Sequence, residues 1–143
     1  MPTILLVEDD TNTRSGLCEI LTEEGYQVEA VAHGATALKV LEAGTVDLML
    51  TDLRLPDMSG LELHKNIQLT KPAVATILMT AYGTAEARRQ AEEQGVRFWL
   101  TKPLNIESLL NLVKEVVTKR TNHRSEIFTA SAPPDVKNTF LMD

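Results

Sequence analysis

Five short apolar runs, each separated from the next by an amphipathic stretch, constrain this chain more than any other feature. Ile4-Leu5-Leu6-Val7 is apolar throughout and stops at acids. A run of that kind reads as a strand buried on both faces of a parallel sheet. Further strands are predicted over 26–31, 46–50, 74–79 and 96–100. Between them lie helical patterns. Over 11–24, Leu17, Ile20 and Leu21 fall at helical spacing and Gly25 supplies a stop. Residues 35–41 follow, with Gly44 just past the end. Ser59-Gly60-Leu61-Glu62 has the form of a capping box opening a helix to about Leu69. Residues 84–94 end at Gly95. Asn105 can cap a last helix with Ile106, Leu109, Leu110, Val113, Val116 and Val117 on its apolar face. Strict strand–helix alternation predicts an α/β fold, a parallel sheet covered by helices on both faces. Five strands suit the flavodoxin-like order 2-1-3-4-5, in which sites form at the carboxyl ends of the strands.

Composition bounds the rest. With 143 residues, 43% of them hydrophobic, the chain can build one cored domain. Asp and Glu outnumber Lys and Arg by 20 to 14, a net charge of −6, which argues against nucleic acid as a direct partner. Cys18 is the single cysteine, so neither an internal disulfide nor a cysteine-rich zinc site can form. No apolar stretch nears the roughly 20 residues that span a bilayer, and no signal-peptide core precedes Ile4. A cytoplasmic setting is expected, without membrane partners. From Thr121 the pattern changes to Ser, Thr, Asn and Pro133-Pro134. The expected organisation is therefore a domain over 1–119 and a linker or tail over 120–143, with Ile127, Phe128, Phe140, Leu141 and Met142 as its docking candidates.

The residues just after the apolar runs are Glu8-Asp9-Asp10, Asp52, Thr80 and Lys102. The fold brings them to one edge of the sheet. Clustered carboxylates are costly to ionise together unless a cation sits among them. An oxygen-rich, incompletely closed set suits Mg²⁺, which keeps several waters. A nearby lysine can balance a carboxylate or a phosphoryl group carried on one. A carboxylate can itself attack a phosphoryl donor and form an acyl phosphate.

At this point the sequence resembles a known family. Ile4-Leu5-Leu6-Val7-Glu8-Asp9-Asp10, Leu50-Thr51-Asp52-Leu53-Arg54-Leu55-Pro56, Met58-Ser59-Gly60, Met79-Thr80-Ala81 and Thr101-Lys102-Pro103 are similar to the receiver domain of two-component response regulators, in register over about residues 3–119. The resemblance implies that Asp52 is the phosphoacceptor for a sensor histidine kinase. It implies that Asp9 binds Mg²⁺ directly, Glu8 mainly through water, and Asp52 and the Arg54 backbone carbonyl complete the protein ligands. Lys102 would pair with the phosphoryl group and Thr80 would hydrogen-bond it. Asp10 receives no ligand role. Trp99 stands where the family carries an aromatic switch, more often Tyr or Phe. Gly83-Thr84 after Ala81-Tyr82, with Leu100 to Leu104, looks most like receivers of NtrC-like, sigma-54-dependent transcriptional regulators. Their ATPase and DNA-binding domains are not in this sequence.

Two rival readings define what would decide the matter. An aspartate-nucleophile phosphohydrolase needs a second acid two residues after the nucleophile, and Arg54 stands there. A stand-alone receiver would relay its signal to a partner protein rather than to an attached output domain. The chain is in either receiver case not a dedicated enzyme, only a participant in phosphoryl transfer and in loss of its own phosphoryl group. Arg88 and Arg89 with Glu86, Glu92 and Glu93 read as a solvated helix face. In the family that face belongs to the helix 4–strand 5–helix 5 surface, where a homodimer would form. Cys18 reads as a small helix residue packed inward. His33, His64 and His123 do not cluster, so metal binding by them is not expected.

Overall fold

A computed structural model describes residues 1–81 and 85–125. Five strands, β1 (Thr3–Val7), β2 (Gln27–Val31), β3 (Leu48–Asp52), β4 (Ala75–Thr80) and β5 (Phe98–Thr101), alternate with five helices. These are α1 (Thr11–Glu23), α2 (Gly34–Ala43), α3 (Gly60–Thr70), α4 (Ala85–Glu93) and α5 (Ile106–Ser125). All pairings are parallel and the order is β2-β1-β3-β4-β5, as the alternation required.

The strand residues sort by parity onto the two faces. Ile4, Leu6, Leu48, Leu50, Ile77 and Met79 meet Leu17 and Leu21 of α1 and Leu109, Leu112, Val113 and Val116 of α5. On the other face Leu5, Val7 and Met49 meet Ala37 and Leu41 of α2 and Leu63 and Ile67 of α3. Leu78 and Trp99 pack with Leu61 and Ala91 under α4. β1 and β3 lie inside the sheet and are buried almost throughout, whereas β2 at the edge is half exposed. This explains why the first and third runs are continuously apolar and the second alternates.

Helix ends follow local chemistry. Asp10 caps α1, accepting from the Thr13 N–H at 2.9 Å and the Thr13 hydroxyl at 2.8 Å. Ser59 and Glu62 form the expected capping box on α3. Asn105 accepts from the Ser108 N–H at 2.9 Å at the start of α5. Gly25 and Gly95 take positive φ where α1 and α4 stop. α5 continues to Ser125, past the 119/120 boundary drawn from sequence. Residues 126–143, with Ile127, Phe128, Phe140, Leu141 and Met142, lie outside the described residues, as does the Tyr82-Gly83-Thr84 motif. Among the described residues no helix is long and apolar enough to cross a membrane.

Candidate functional site

The carboxyl ends of β1, β3, β4 and β5 deliver the site. Glu8 follows β1 directly and is fully buried, its backbone N–H held by the Val31 carbonyl at 3.0 Å. Asp9, one residue on, is exposed at the rim. Asp52 ends β3 and is 5% exposed, while Thr80 ends β4 and is 3% exposed. Asp52 pairs in register with Met79, which sets Thr80 one residue beyond it on the neighbouring strand. Lys102 leaves β5 with its N–H on the Thr80 carbonyl at 2.8 Å. The peptide bond that follows it, to Pro103, is cis.

These placements converge on one cluster. Lys102 Nζ lies 2.8 Å from Glu8 Oε1 and 2.7 Å from Asp52 Oδ1. The second Glu8 oxygen accepts from the Asp10 N–H at 3.0 Å. Oxygen atoms of Glu8, Asp9 and Asp52 all lie within 4.8 Å of one another. Of the residues singled out by sequence, Glu8, Asp9, Asp52 and Lys102 are thus in one place, with Thr80 on the adjoining strand end.

The electrostatics follow from burial and from two buried acids sharing one lysine. Burial, then the hydrogen-bonded Glu8 carboxyl, push Asp52 up to about 7 against the pull of Lys102. Glu8 moves the other way. Burial would raise it, but hydrogen bonds with Asp52, Lys102 and the Asp10 N–H hold it below its ordinary value. Lys102 is held above its ordinary value because its contacts with Asp52 and Glu8 outweigh the effect of burial. A proton on Asp52 relieves the crowding of charge, and a divalent cation would do the same. The donor set fits a hard cation of the Mg²⁺ type, being all oxygen and open on the Asp9 side.

The loop after β3 shapes the other wall. Arg54 and Ser59 form an antiparallel bridge, Leu55 N–H meets the Met58 carbonyl at 3.0 Å, and Gly60 N–H meets the Leu53 carbonyl at 2.7 Å. A Cβ at Gly60 would run into the Asp52 carbonyl oxygen, so only glycine lets α3 start this close to β3. Between this loop and α4 lies a cavity of about 500 Å³ lined by Leu53, Arg54, Met58, Glu86, Ala87 and Gln90.

Further contacts lie outside the cluster. Trp99 is buried, 6% exposed, beneath α4. Arg88 is not part of a solvated face: it is half-buried, its guanidinium lies 4.9 Å from the Trp99 ring centroid, and its Nε is buried without a hydrogen-bond partner. Arg89 and Glu93 do form the exposed pair expected there, at 4.0 Å. Sequence reasoning missed Arg14, whose guanidinium reaches the Glu8 and Asp9 carbonyls at 2.9 and 3.3 Å from a helical position that carries no local signal. It also missed Asp57, which bonds residues 22 and 23 positions away. His64 is a buried core histidine, bonded to Thr76 Oγ1 at 2.8 Å and the Gln94 carbonyl at 2.9 Å.

Comparison with known proteins supplies the context for this geometry. Residues 4–114 match the response regulator receiver domain family. The chain is 37% identical over 114 residues to the transcriptional regulatory protein GlrR of Escherichia coli, covering 80% of this chain and 26% of that protein. It is 36% identical over 115 residues to the DNA-binding transcriptional regulator NtrC of Proteus hauseri, covering 80% and 24%. It thus spans about a quarter of the length of these two regulators. Against sporulation initiation phosphotransferase F of Bacillus subtilis it is 32% identical over 119 residues, covering 83% of this chain and 96% of that one. The fold superposes with a TM-score of 0.82 on a receiver domain protein of Methanospirillum hungatei, 32% identical, over 86% of this chain and 98% of that one. With the response regulator TrrA of Thermotoga maritima, solved in complex with Mg(2+)-BeF, the TM-score is 0.73 at 34% identity, over 81% and 99%.

Proposed function

The chain belongs to the response regulator receiver domain family, and from that premise we propose that Asp52 accepts a phosphoryl group from the phosphohistidine of a sensor kinase. The observation that carries the reading is Lys102 Nζ bridging Glu8 and Asp52 within 2.8 Å, beside the rim carboxylate of Asp9. An Asp52 oxygen bonds to phosphorus while the P–N bond of phosphohistidine breaks and its electron pair leaves with the imidazole nitrogen. The product is an acyl phosphate.

Each neighbour has a task in that step. Lys102 already touches the nucleophile and can follow the charge onto the phosphoryl oxygens. The hydroxyl of Thr80, at the next strand end, would hydrogen-bond the group once it is attached. Glu8, Asp9, Asp52 and the Arg54 carbonyl are the residues that would hold Mg²⁺. Bound there, Mg²⁺ supplies positive charge to the transferring group. Trp99, on β5 beneath α4, would act as the aromatic switch that follows a change at Thr80. Phosphorylation then biases two pre-existing conformations and changes the affinity of a partner-binding or dimerising surface built on α4, β5 and α5.

The regulators GlrR and NtrC support control of transcription as the output. The match across 96% of sporulation initiation phosphotransferase F supports the alternative, a receiver that passes its signal to a separate protein. Incubation with acetyl phosphate and Mg²⁺ tests the chemistry. Intact mass should show one added phosphoryl group, absent in Asp52→Asn; addition to that variant would place the acceptor elsewhere. Light scattering with beryllofluoride tests the output, since a shift from monomer to dimer favours a dimerising regulator.

A further inference from the structure

Helix α2 is capped by a residue that does not belong to it. Its own N-cap position is His33, whose side chain makes no capping bond. Asp57, in the loop after β3, fills that role. Its two carboxylate oxygens accept from the Gly34 and Ala35 N–H groups, each at 2.9 Å. The first-turn N–H groups of a helix have no intrahelical acceptors, and a carboxylate there also meets the positive end of the helix dipole. The bonds hold the Asp57 carboxyl below its ordinary value. Beside them, Met58 packs directly on Gly34, where a Cβ would strike its Cγ and Sδ. The loop is therefore docked on α2 at two consecutive residues, by charge-assisted hydrogen bonds and by close packing.

That loop also presents Arg54, three residues before Asp57. Between the two, the turn closes through Leu55 N–H on the Met58 carbonyl at 3.0 Å and through the Arg54–Ser59 bridge. Any drift of the loop at Asp57 and Met58 is passed to the Arg54 carbonyl through these bonds. We infer that Asp57 is a positioning residue: by clamping the loop to the N-terminus of α2 it fixes the position of the Arg54 carbonyl and so sets the affinity for Mg²⁺. The inference rests on the metal-binding reading proposed above. It assigns Asp57 no contact with the cation.

The test is a Mg²⁺ titration of the full chain followed by backbone amide chemical shifts, read at Glu8, Asp9, Asp52 and Leu55. The wild type should show saturable shifts at these residues. Asp57→Ala should bind Mg²⁺ about tenfold more weakly, the size typical of losing an outer-shell group at a metal site. Asp57→Asn keeps one of the two capping acceptors but no charge, and should bind Mg²⁺ more tightly than Asp57→Ala and more weakly than the wild type. Lys39→Gly weakens α2 at an exposed interior position without touching the loop, and should leave the affinity unchanged. Unchanged affinity in Asp57→Ala overturns the inference. So does an Asp57→Asn variant as weak as Asp57→Ala, which would assign the effect to charge alone. An equal loss in Lys39→Gly would assign it to general loosening of α2 and overturn it too. A wild type with no saturable shift would overturn the metal-binding reading itself, a result distinct from all three.

Discussion

The guanidinium of Arg88 stands over the indole of Trp99, 4.9 Å from its centroid, and ties α4 to β5 at the edge of the sheet. Trp99 is the one tryptophan of the chain, so its emission reports on this part of the fold. Arg88→Met keeps most of the stem and removes the cation. It should lower stability by about 1 kcal/mol, the usual worth of a half-desolvated cation–π pair. Urea unfolding followed by Trp99 fluorescence reads this as a lower midpoint at unchanged slope. An unmoved midpoint would show that the stack contributes nothing.

Mg²⁺ that binds the folded chain and not the unfolded one stabilises by mass action, by about 2.7 kcal/mol at a hundredfold excess over Kd. Asp9 is the exposed carboxylate of the cluster, and its removal leaves the buried Glu8–Lys102 contact in place. Asp9→Ala should therefore fold normally and lose most of the Mg²⁺-dependent rise in melting temperature. A rise equal to that of the wild type would remove Asp9 from the ligand set.

Asp52→Asn should end labelling by acetyl phosphate and, without Mg²⁺, stabilise the chain. Burial and Glu8 both oppose a charge at Asp52, and only Lys102 favours it. The gain should be at least about 1 kcal/mol, because each unit of raised carboxyl pKa is worth about 1.4 kcal/mol and the pull of Lys102 is already contained in the raised value. Thermal melts in a chelating buffer at pH 8 measure this. A variant less stable than the wild type would show that the Lys102–Asp52 contact outweighs the crowding of acids.

The sheet and the site were legible for the same reason. Interior strands such as β1 and β3 need continuous apolar runs, and a parallel sheet gathers whatever follows them, so the sequence alone brings Glu8, Asp9, Asp52, Thr80 and Lys102 to one edge. Contacts between loops leave no such trace. Asp57 bonds to Gly34 and Ala35 without a periodic signal linking them. Arg88 reads as a surface charge because its neighbours on α4 are charged, and only the tertiary placement of Trp99 beneath it shows otherwise. His64 sits at an inward helical position, where a histidine and a leucine give the same pattern. Its bonding to Thr76 and Gln94 depends on three elements meeting.

Gly60 gives a prediction that separates local helix propensity from packing. Alanine at this first position of α3 is the better helix former, yet its Cβ would meet the Asp52 carbonyl oxygen. Gly60→Ala should cost about 1–3 kcal/mol, the range for overpacking a tight contact. It should also slow labelling of Asp52, since the collision falls on the backbone of that residue. A variant as stable as the wild type would mean that α3 can retreat from β3 without loss.

His64 sets a pH dependence that can be read apart from the acidic cluster. It is 6% exposed, and both ring nitrogens have partners: Nδ1 lies 2.8 Å from Thr76 Oγ1 and Nε2 lies 2.9 Å from the Gln94 carbonyl. A carbonyl can only accept, so Nε2 carries the hydrogen, and in the neutral ring Nδ1 accepts from the threonine hydroxyl. Burial lowers the His64 pKa below its ordinary value, and the Gln94 bond offsets this only in part. The unfolded chain then binds a proton at a higher pH than the folded one. The contribution of His64 to stability is complete above about pH 6.5 and is lost as pH falls toward the lower folded value, by at most about 1.4 kcal/mol per pH unit. His64→Gln removes the titration, so the wild-type-minus-variant difference in unfolding free energy should shrink as pH drops from 7.5 to 5.5. A difference that stays flat across that range would show that the folded protein accepts the proton as readily as the unfolded one.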